Sequence, residues 1–393
     1  MGIRLLIIDD NPHVRWRGRV HPVNATFQRF AAGLLDLAAR PVTSLTSCLP
    51  VRDVEEEPSA PPLDERIEVI ATAPFEGIAG YLLQLPAMIR HNRPILRRAA
   101  RQADLMWLKV PASNAPLAAA AARLSGVPRS TWVAGRAATV GAAAGRGAGR
   151  LVGFGVGAAY DAAGWIVGVG GDRRVVGGRD GAARPGLVAS LVDASEIREP
   201  SGPWPAIPSR PRLAWAGRLA RGKGVELLFG AIAALADDAE GPRYELVLIG
   251  DGRAAAELDA LARDLGITDR IHRLGFIGDR STYLAALRTA DLFVFPSPAE
   301  GFPKVVLDAM AVGLPVVARP VGGVAPLVGS GIVAEAPTGS HALAAAVSRL
   351  VADPDRAAVI RAAGQRFVRM HTRSAELERI VAGWQARWPA LPW

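Results

Sequence analysis

Two segments of the chain carry residues that together could hold and activate a phosphorylated sugar. In GRLARGKG, residues 217–224, Arg218 and Lys223 stand five apart across a glycine-punctuated turn that precedes a helical pattern. A planar guanidinium and a compact ammonium on one turn can both reach a diphosphate, and the amides of the helix N-terminus would add to them. In SPAEGFPKVVLDAM, residues 297–310, Glu300 precedes Gly301, and Asp308 follows after seven intervening residues. The first carboxylate then sits in a loop and the second about one and a half turns into a helix that opens near Pro303. Two acceptors at different depths suit two hydroxyl-bearing parts of one ligand. Gly301 lets the backbone approach closely, and Pro303 is tolerated at a first helical position. Each segment by itself also has a plainer reading, as solvated cations beside a turn or as an acidic helix entrance that complements the macrodipole.

The elements that must position these residues read as an α/β pattern. Strand runs RLAWAG (212–217), YELVLIG (244–250), IHRLGF (271–276), DLFVFP (291–296) and PVVA (315–318) alternate with helical patterns near 225–237, 254–265, 281–289 and 303–312. The first half repeats the scheme, with apolar runs at 3–9, 42–51, 67–73, 104–110 and 130–135, a helix at 24–38 capped by Asn24, and another at 114–124 stopped by Gly126. Such alternation means parallel sheets covered by helices. Their ligands bind beyond the carboxyl ends of the strands, which directs attention to the loops GRLARGKG, GDGR (250–253), GFIGDR (275–280) and SPAEGFPKVVLDAM. Residues 199–211, EPSGPWPAIPSRP, hold five prolines in 13 positions and set a stiff boundary. The expected division is a first domain over 1–198, a linker over 199–211, a second domain over 212–370 and a C-terminal segment over 371–393. Residues 135–186, with 16 glycines in 52, take no assignment.

GRLARGKG, LVLIGDG, IHRLGFIGD and, above all, ADLFVFPSPAEGFPKVVLDAMAVGLPVVARPVGG at 290–323 resemble the C-terminal half of the family 4 retaining glycosyltransferases. The resemblance implies the GT-B architecture, two doubly wound Rossmann-like domains facing each other across a cleft. It implies that Arg218 and Lys223 bind and neutralise the leaving nucleoside diphosphate, while Glu300 holds the donor-sugar hydroxyls. Backbone groups of Gly301, Phe302 and Pro303 would line the sugar and phosphate, with Gly217, Gly250 and Lys304 beside them. Phe276 and Ile277 match the segment that flanks the nucleobase. Asp308 stands where the family has a glutamate that reaches the ribose, one methylene longer. Catalysis of this kind needs no protein nucleophile, because the leaving phosphate oxygen can take the acceptor's proton. No D-x-D pair lies in these loops, so neither a metal nor any other cofactor is expected, and the co-substrate is a nucleotide sugar, with UDP favoured. The family's C-terminal tail crosses back to the first domain; here Leu377, Ile380, Val381, Trp384 and Trp388 recur at helical spacing over 374–388.

The first half departs from that family. Its first loop reads DDNPHVRWRGRVHPVNATF (9–27), with Gly18 single and Arg15, Arg17, Arg19, His21 and Asn24 nearby; the end of the fourth strand reads LKVPASN, offering Lys109, Ser113 and Asn114 where a histidine is usual. Gly18, His21, Asn24, Lys109, Ser113 and Asn114 are the candidates for contact with the acceptor or donor sugar. Two rivals share some of these residues. Asp9, Asp10, Asp53 and Lys109 superficially match the acidic pocket of a phosphorylated receiver, and a nucleotide-sugar epimerase would need acid–base groups such as Asp104, His21 and His91.

Composition bounds the rest. The 393 residues are 50% hydrophobic and 21% charged, with a net charge of +9, enough apolar material for two packed domains. The basic residues are scattered without a stripe of interleaved aromatics, which argues against nucleic acid and leaves a small-molecule or lipid-linked acceptor, with peripheral contact at an anionic membrane as one option. The single cysteine, Cys48, cannot form an internal disulfide. The N-terminal apolar run is too short for a signal peptide. Residues 151–171 contain seven glycines and Asp161, a poor membrane span. A cytoplasmic location is therefore expected, and oligomeric state is not legible.

Overall fold

The computed structural model describes residues 2–23, 26–58, 60–74, 77–110, 112–133, 150–151, 155, 188, 190–198, 210–236, 241–300 and 302–393. Most of the Gly-rich span and most of the Pro-rich segment, 199–209, lie outside them, as do the expected cap Asn24 and Gly301. The chain divides into two compact units, Met1–Leu187 with Ser374–Trp393, and Val188–Arg373.

In the first unit, strand β1 (Ile3–Ile8) is flanked in parallel by β4 (Val42–Asp53) and β6 (Leu105–Val110), with β5 (Ile67–Thr72) beyond β4 and β7 (Arg129–Val133) beyond β6. The chain thus moves outward from β1 in both directions, and the switch of direction lies between β1 and β6. The expected first loop after β1 is instead a hairpin, β2 (His13–Trp16) and β3 (Arg19–Pro22), in which β2 adds in parallel to the end of β4. Arg17 and Gly18 have φ of 46° and 78°, the two positive values that a two-residue hairpin turn requires. Helix α1 (Thr26–Ala32) follows and is shorter than the expected 24–38; α2 runs Gly77–Gln102 and α3 Ala115–Ser125. Gly126 ends α3 at φ 70°, as its position suggested.

An aromatic cluster fills one side of this sheet. Trp107 and Trp132 meet at 5.6 Å, Phe27 lies 5.3 Å from Trp107, and Phe30 lies 5.2 Å from Trp132. The C-terminal helix, Arg373–Arg387, closes the cluster with Trp384, whose ring stands edge-on to Trp107 at 5.2 Å. Leu377, Ile380, Val381 and Trp384 form its buried stripe, which is why residues 374–393 belong to this unit.

The second unit holds a six-stranded, all-parallel sheet in the order β10-β9-β8-β11-β12-β13. The strands are β8 (Arg212–Ala216), β9 (Glu245–Ile249), β10 (Ile271–Gly275), β11 (Leu292–Phe295), β12 (Val316–Ala318) and β13 (Ala334–Glu335). The helices, in chain order, are α4 (Val225–Ala236), α5 (Ala255–Asp264), α6 (Arg280–Leu287), α7 (Lys304–Ala311), α8 (Ala325–Gly329), α9 (Ser340–Val351), α10 (Pro354–Met370) and α11, the Arg373–Arg387 helix already described. β8 is central, so the direction switches between β8 and β11, and the loops that begin at 217 and 296 flank that point. The unit begins earlier than the expected 212 because Val188 and Val192 are buried in its core, with Ile197 packed against it.

Candidate donor site

Backbone bonds sew together the loops that follow β8, β9 and β10. Gly217 donates to the carbonyl of Ile249 (3.0 Å), Leu219 to Asp251 (2.9 Å), Ala254 to Leu219 (3.1 Å) and Gly250 to Gly275 (2.7 Å). The chains come so close that a Cβ on Gly250 would stand 1.9 Å from the carbonyl oxygen of Gly217. Both predicted glycines therefore shape the floor of the site through backbone packing.

On this floor the predicted cations differ in state. Arg218 is exposed and makes no side-chain hydrogen bond or ion pair among the described residues. Lys223 crosses to the loop after β11, where its Nζ lies 2.6 Å from Glu300 Oε1. The buried Ser297 hydroxyl donates to the same oxygen at 3.0 Å. Lys223 and Glu300 retain 27% and 17% side-chain exposure, so the pair is reachable from solvent. An exposed unpaired guanidinium beside a reachable ammonium–carboxylate pair can accept an anion and, once the ammonium turns to that anion, offer a carboxylate to hydroxyl donors.

Asp308 is placed differently from the expected ribose acceptor. It lies one turn into α7 and is enclosed, at 5% exposure. Its Oδ1 stands 2.8 Å from Arg280 Nη2, and Tyr283 donates its hydroxyl to Oδ2 at 3.3 Å. Arg280 in turn grips Glu196 with both branches of its fork, each at 2.9 Å. Burial pushes the Asp308 carboxyl above its usual range, with the Arg280 charge opposing. Burial works against the Arg280 cation too, but its bonds to Glu196 and Asp308 win and hold it above its usual range. Burial and the Asp308 charge push the Tyr283 phenol up. The shorter acid is thus an internal ion-pair partner whose charge is met within the unit. Arg280 and Tyr283, three residues apart on one face of α6, and Glu196 are the residues that the sequence reading missed; the i, i+3 spacing opposite a predicted acid was the available signal.

Phe276 is 63% exposed and Ile277 is half-buried against the core, consistent with an open aromatic face beside the floor. Phe302 packs its ring on the backbone of Gly323, Pro303 is buried at the start of α7, and Lys304 is half-buried.

In the first unit, Lys109, Ser113 and Asn114 do gather at the carboxyl ends of β1 and β6. Lys109 Nζ lies 2.7 Å from the buried Asp9 and 4.8 Å from the centre of the Phe27 ring. The Ser113 amide donates to Asp10, and buried Asn114 accepts from Asn92 at 2.9 Å. Burial, aided by the Asp9 charge and opposed by Ser113, pushes the Asp10 carboxyl up to about 6. His21 stands apart, buried on the hairpin with Nδ1 2.8 Å from the carbonyl of Ala60 and its ring edge-on to Trp16. Gly18 sits at the hairpin tip, a turn residue in place of the expected ligand contact. Asp53, which a receiver needs beside Asp9 and Asp10, is exposed and faces Arg15 at 3.4 Å. Asp104 is tied to Arg4 at 2.8 Å.

Residues 210–353 match the family model described as "Glycosyl transferases group 1". This stretch includes the floor loops, Lys223, Glu300 and Asp308. The match falls within the second unit. Over 163 residues the chain is 32% identical to the alpha-D-kanosaminyltransferase of Streptomyces kanamyceticus, covering 41% of this chain and 40% of that one. Over 180 residues it is 31% identical to the GDP-mannose-dependent alpha-mannosyltransferase of Mycolicibacterium smegmatis, 45% and 44% of the two chains. The matches thus span about two fifths of these curated relatives. The whole chain shares the GT-B fold. The Anabaena HepE protein in complex with UDP-glucose superimposes with a TM-score of 0.63 at 18% identity, over 98% of this chain and all of that one. Sucrose-phosphate synthase from Thermosynechococcus elongatus gives 0.65 at 18%, over 98% and 99%. No described helix is long and apolar enough to cross a membrane.

Proposed function

We propose that the chain transfers a glycosyl group, with retention of configuration, from a nucleoside diphosphate sugar to a hydroxyl of a small-molecule or lipid-linked acceptor. The observation that carries this reading is the Lys223–Glu300 pair at 2.6 Å beside exposed, unpaired Arg218, within the stretch that matches the group 1 model. When a diphosphate arrives, Arg218 and Lys223 take its charge, and Glu300, released from the ammonium, accepts hydrogen bonds from the sugar hydroxyls. The bond between the anomeric carbon and the phosphate oxygen breaks with its electrons going to the diphosphate. The acceptor oxygen bonds to the same face of the anomeric carbon, and its proton passes to the departing phosphate oxygen. Fixed cations aimed at that developing charge lower the barrier, and they supply the neutralisation that a metal would otherwise give, so turnover is expected without one.

UDP is the favoured base, in keeping with the UDP and UDP-glucose complexes of HepE; the GDP-mannose-dependent relative makes GDP the alternative to test. A small polyhydroxylated acceptor is in keeping with the relatives named for kanosaminyl transfer and 2-deoxystreptamine glucosylation. It would meet the polar cluster of Lys109, Ser113 and Asn114. Incubation with UDP-sugars and GDP-sugars in EDTA, followed by proton NMR of the anomeric centre of the product, tests the reading. Retention at a new glycosidic bond is expected. An inverted product, or epimerised donor without acceptor, would replace it.

A further inference from the structure

Among the described residues of the first unit, a row of cations without partners lies along α2. This helix contains no acidic residue over its 26 positions. Its buried side is Met88, Asn92, Leu96 and Ala99, while Arg90, Arg93, Arg97, Arg98 and Arg101 lie on the other side, half-buried at Arg97 and exposed at the rest. None of the five makes a side-chain hydrogen bond or ion pair among the described residues. At a rise of 1.5 Å per residue, Arg90 to Arg101 spans about 16 Å. Positions 83, 90, 97 and 101 fall on one line of the helix, which brings Leu83, 83% exposed, into the same stripe. Arg97, Arg98 and Arg101 also bound a hollow of ≈ 550 Å³ with Pro94 and Gln102.

The arginines of the β2–β3 hairpin are already satisfied. Arg15 faces Asp53 at 3.4 Å, Arg19 faces Glu65 at 2.7 Å, and Arg17 stacks 4.5 Å over the ring of Trp16. The hairpin arginines thus have partners, and those of α2 have none among the described residues.

We propose that the outward face of α2 docks the chain on an anionic phospholipid surface. A straight row of guanidiniums suits a plane of phosphate headgroups, each basic residue there strengthening attachment roughly fivefold. The hollow between three of them can take one headgroup phosphate, and Leu83 gives the row an apolar end that enters the interface. Base-stacking aromatics, which a single-stranded nucleic acid would use, are absent from the row. Because the apolar side of α2 is already packed in the unit, the contact is electrostatic, peripheral and reversed by salt. It stands independently of the glycosyl-transfer reading, since its test reads attachment and no turnover.

The test is co-sedimentation of the full chain with phosphatidylcholine vesicles, with and without phosphatidylglycerol. Attachment to the phosphatidylglycerol vesicles only, released by high salt and weakened at least about 100-fold in the variant with Arg90, Arg93, Arg97 and Arg101 all changed to Gln, is expected. A variant with Arg15, Arg17 and Arg19 changed to Gln should attach like the parent. The α2 arginines have no described partners to lose, and the salt response of the unaltered chain is a second reading that needs no variant. Equal attachment to neutral vesicles, no attachment at all, or unchanged attachment of the α2 variant would overturn the proposal. So would tighter attachment to a single-stranded polynucleotide than to phosphatidylglycerol vesicles at equal salt and equal total phosphate.

Discussion

Lys223 Nζ and Glu300 Oε1 lie 2.6 Å apart although 77 positions separate them in sequence, and Ser297 holds the same carboxylate oxygen at 3.0 Å. The pair joins the loops after β8 and β11, on either side of the point where the second sheet changes direction. Its two charges satisfy each other in the unliganded site and are both open to a ligand that bears phosphate and hydroxyls.

Lys223→Ala is expected to lower kcat by about 10²–10³, the equivalent of about 2.7–4 kcal/mol of barrier, because it removes a cation aimed at the leaving diphosphate. Glu300→Gln should act chiefly on the sugar, reducing turnover while leaving the affinity for free nucleoside diphosphate within a few-fold. Steady-state kinetics alongside diphosphate binding checks both, and an unchanged kcat in Lys223→Ala would remove the residue from its assigned role.

The Arg280–Asp308 pair should matter to folding more than to the donor. Arg280→Ala strands the enclosed carboxylates of Asp308 and Glu196 and is expected to cost about 3–5 kcal/mol, whereas Asp308→Ala leaves Arg280 paired with Glu196 and should cost less. The double variant should cost much less than the sum, as a pair in direct contact demands. Urea denaturation of the single and double variants measures this. Additive losses would show that the two side chains do not act together.

Asp10 supplies a pH dependence with a definite sign. Its carboxyl is raised from an ordinary 3.8 to about 6, so between those values the folded chain binds a proton that the unfolded chain has lost. Stability from this group is complete below about pH 4 and falls as pH rises toward 6. Asp10→Asn, which keeps an oxygen for the Ser113 amide, should flatten that slope and add on the order of 2–3 kcal/mol at pH 7. Denaturation midpoints across pH 4–8 for parent and variant test it; parallel curves would contradict it.

Gly18→Ala should destabilise the chain by about 1 kcal/mol through its positive φ, with no clash to relieve, since nothing lies within 4 Å of a Cβ there. Activity per folded molecule should be unchanged, which separates a turn residue from a ligand contact.

Much of the second unit was legible in the sequence because β8, β9, β11 and β12 are near-continuous apolar runs, and runs buried on both faces admit few other readings. Lys223 and Glu300 were legible for a related reason: each lies in the loop that follows a readable strand. The hairpin over 13–22 was not, since its short strands hold one aliphatic each, Val14 and Val20, among Arg, His and Trp, and only the Arg17–Gly18 turn betrays it. Helix α2 carries Pro86 and Pro94 within it, against local propensity, and is held by the packing of its buried side. The state of Asp308 depends on Arg280 and Glu196, which reach it from separate segments, and no local pattern reports a tertiary pair.

The most direct test of a donor site built on Lys223 and Glu300 is the thermal unfolding of parent and Lys223→Ala with UDP, GDP, dTDP and ADP in turn, all in EDTA. A ligand at about 100 times its Kd adds about 2.7 kcal/mol, a shift of several degrees for a unit of this size. One diphosphate, UDP before the others, is expected to raise the parent midpoint by that amount and the variant's by much less. No rise with any of the four, or an equal rise in Lys223→Ala, would contradict the donor site.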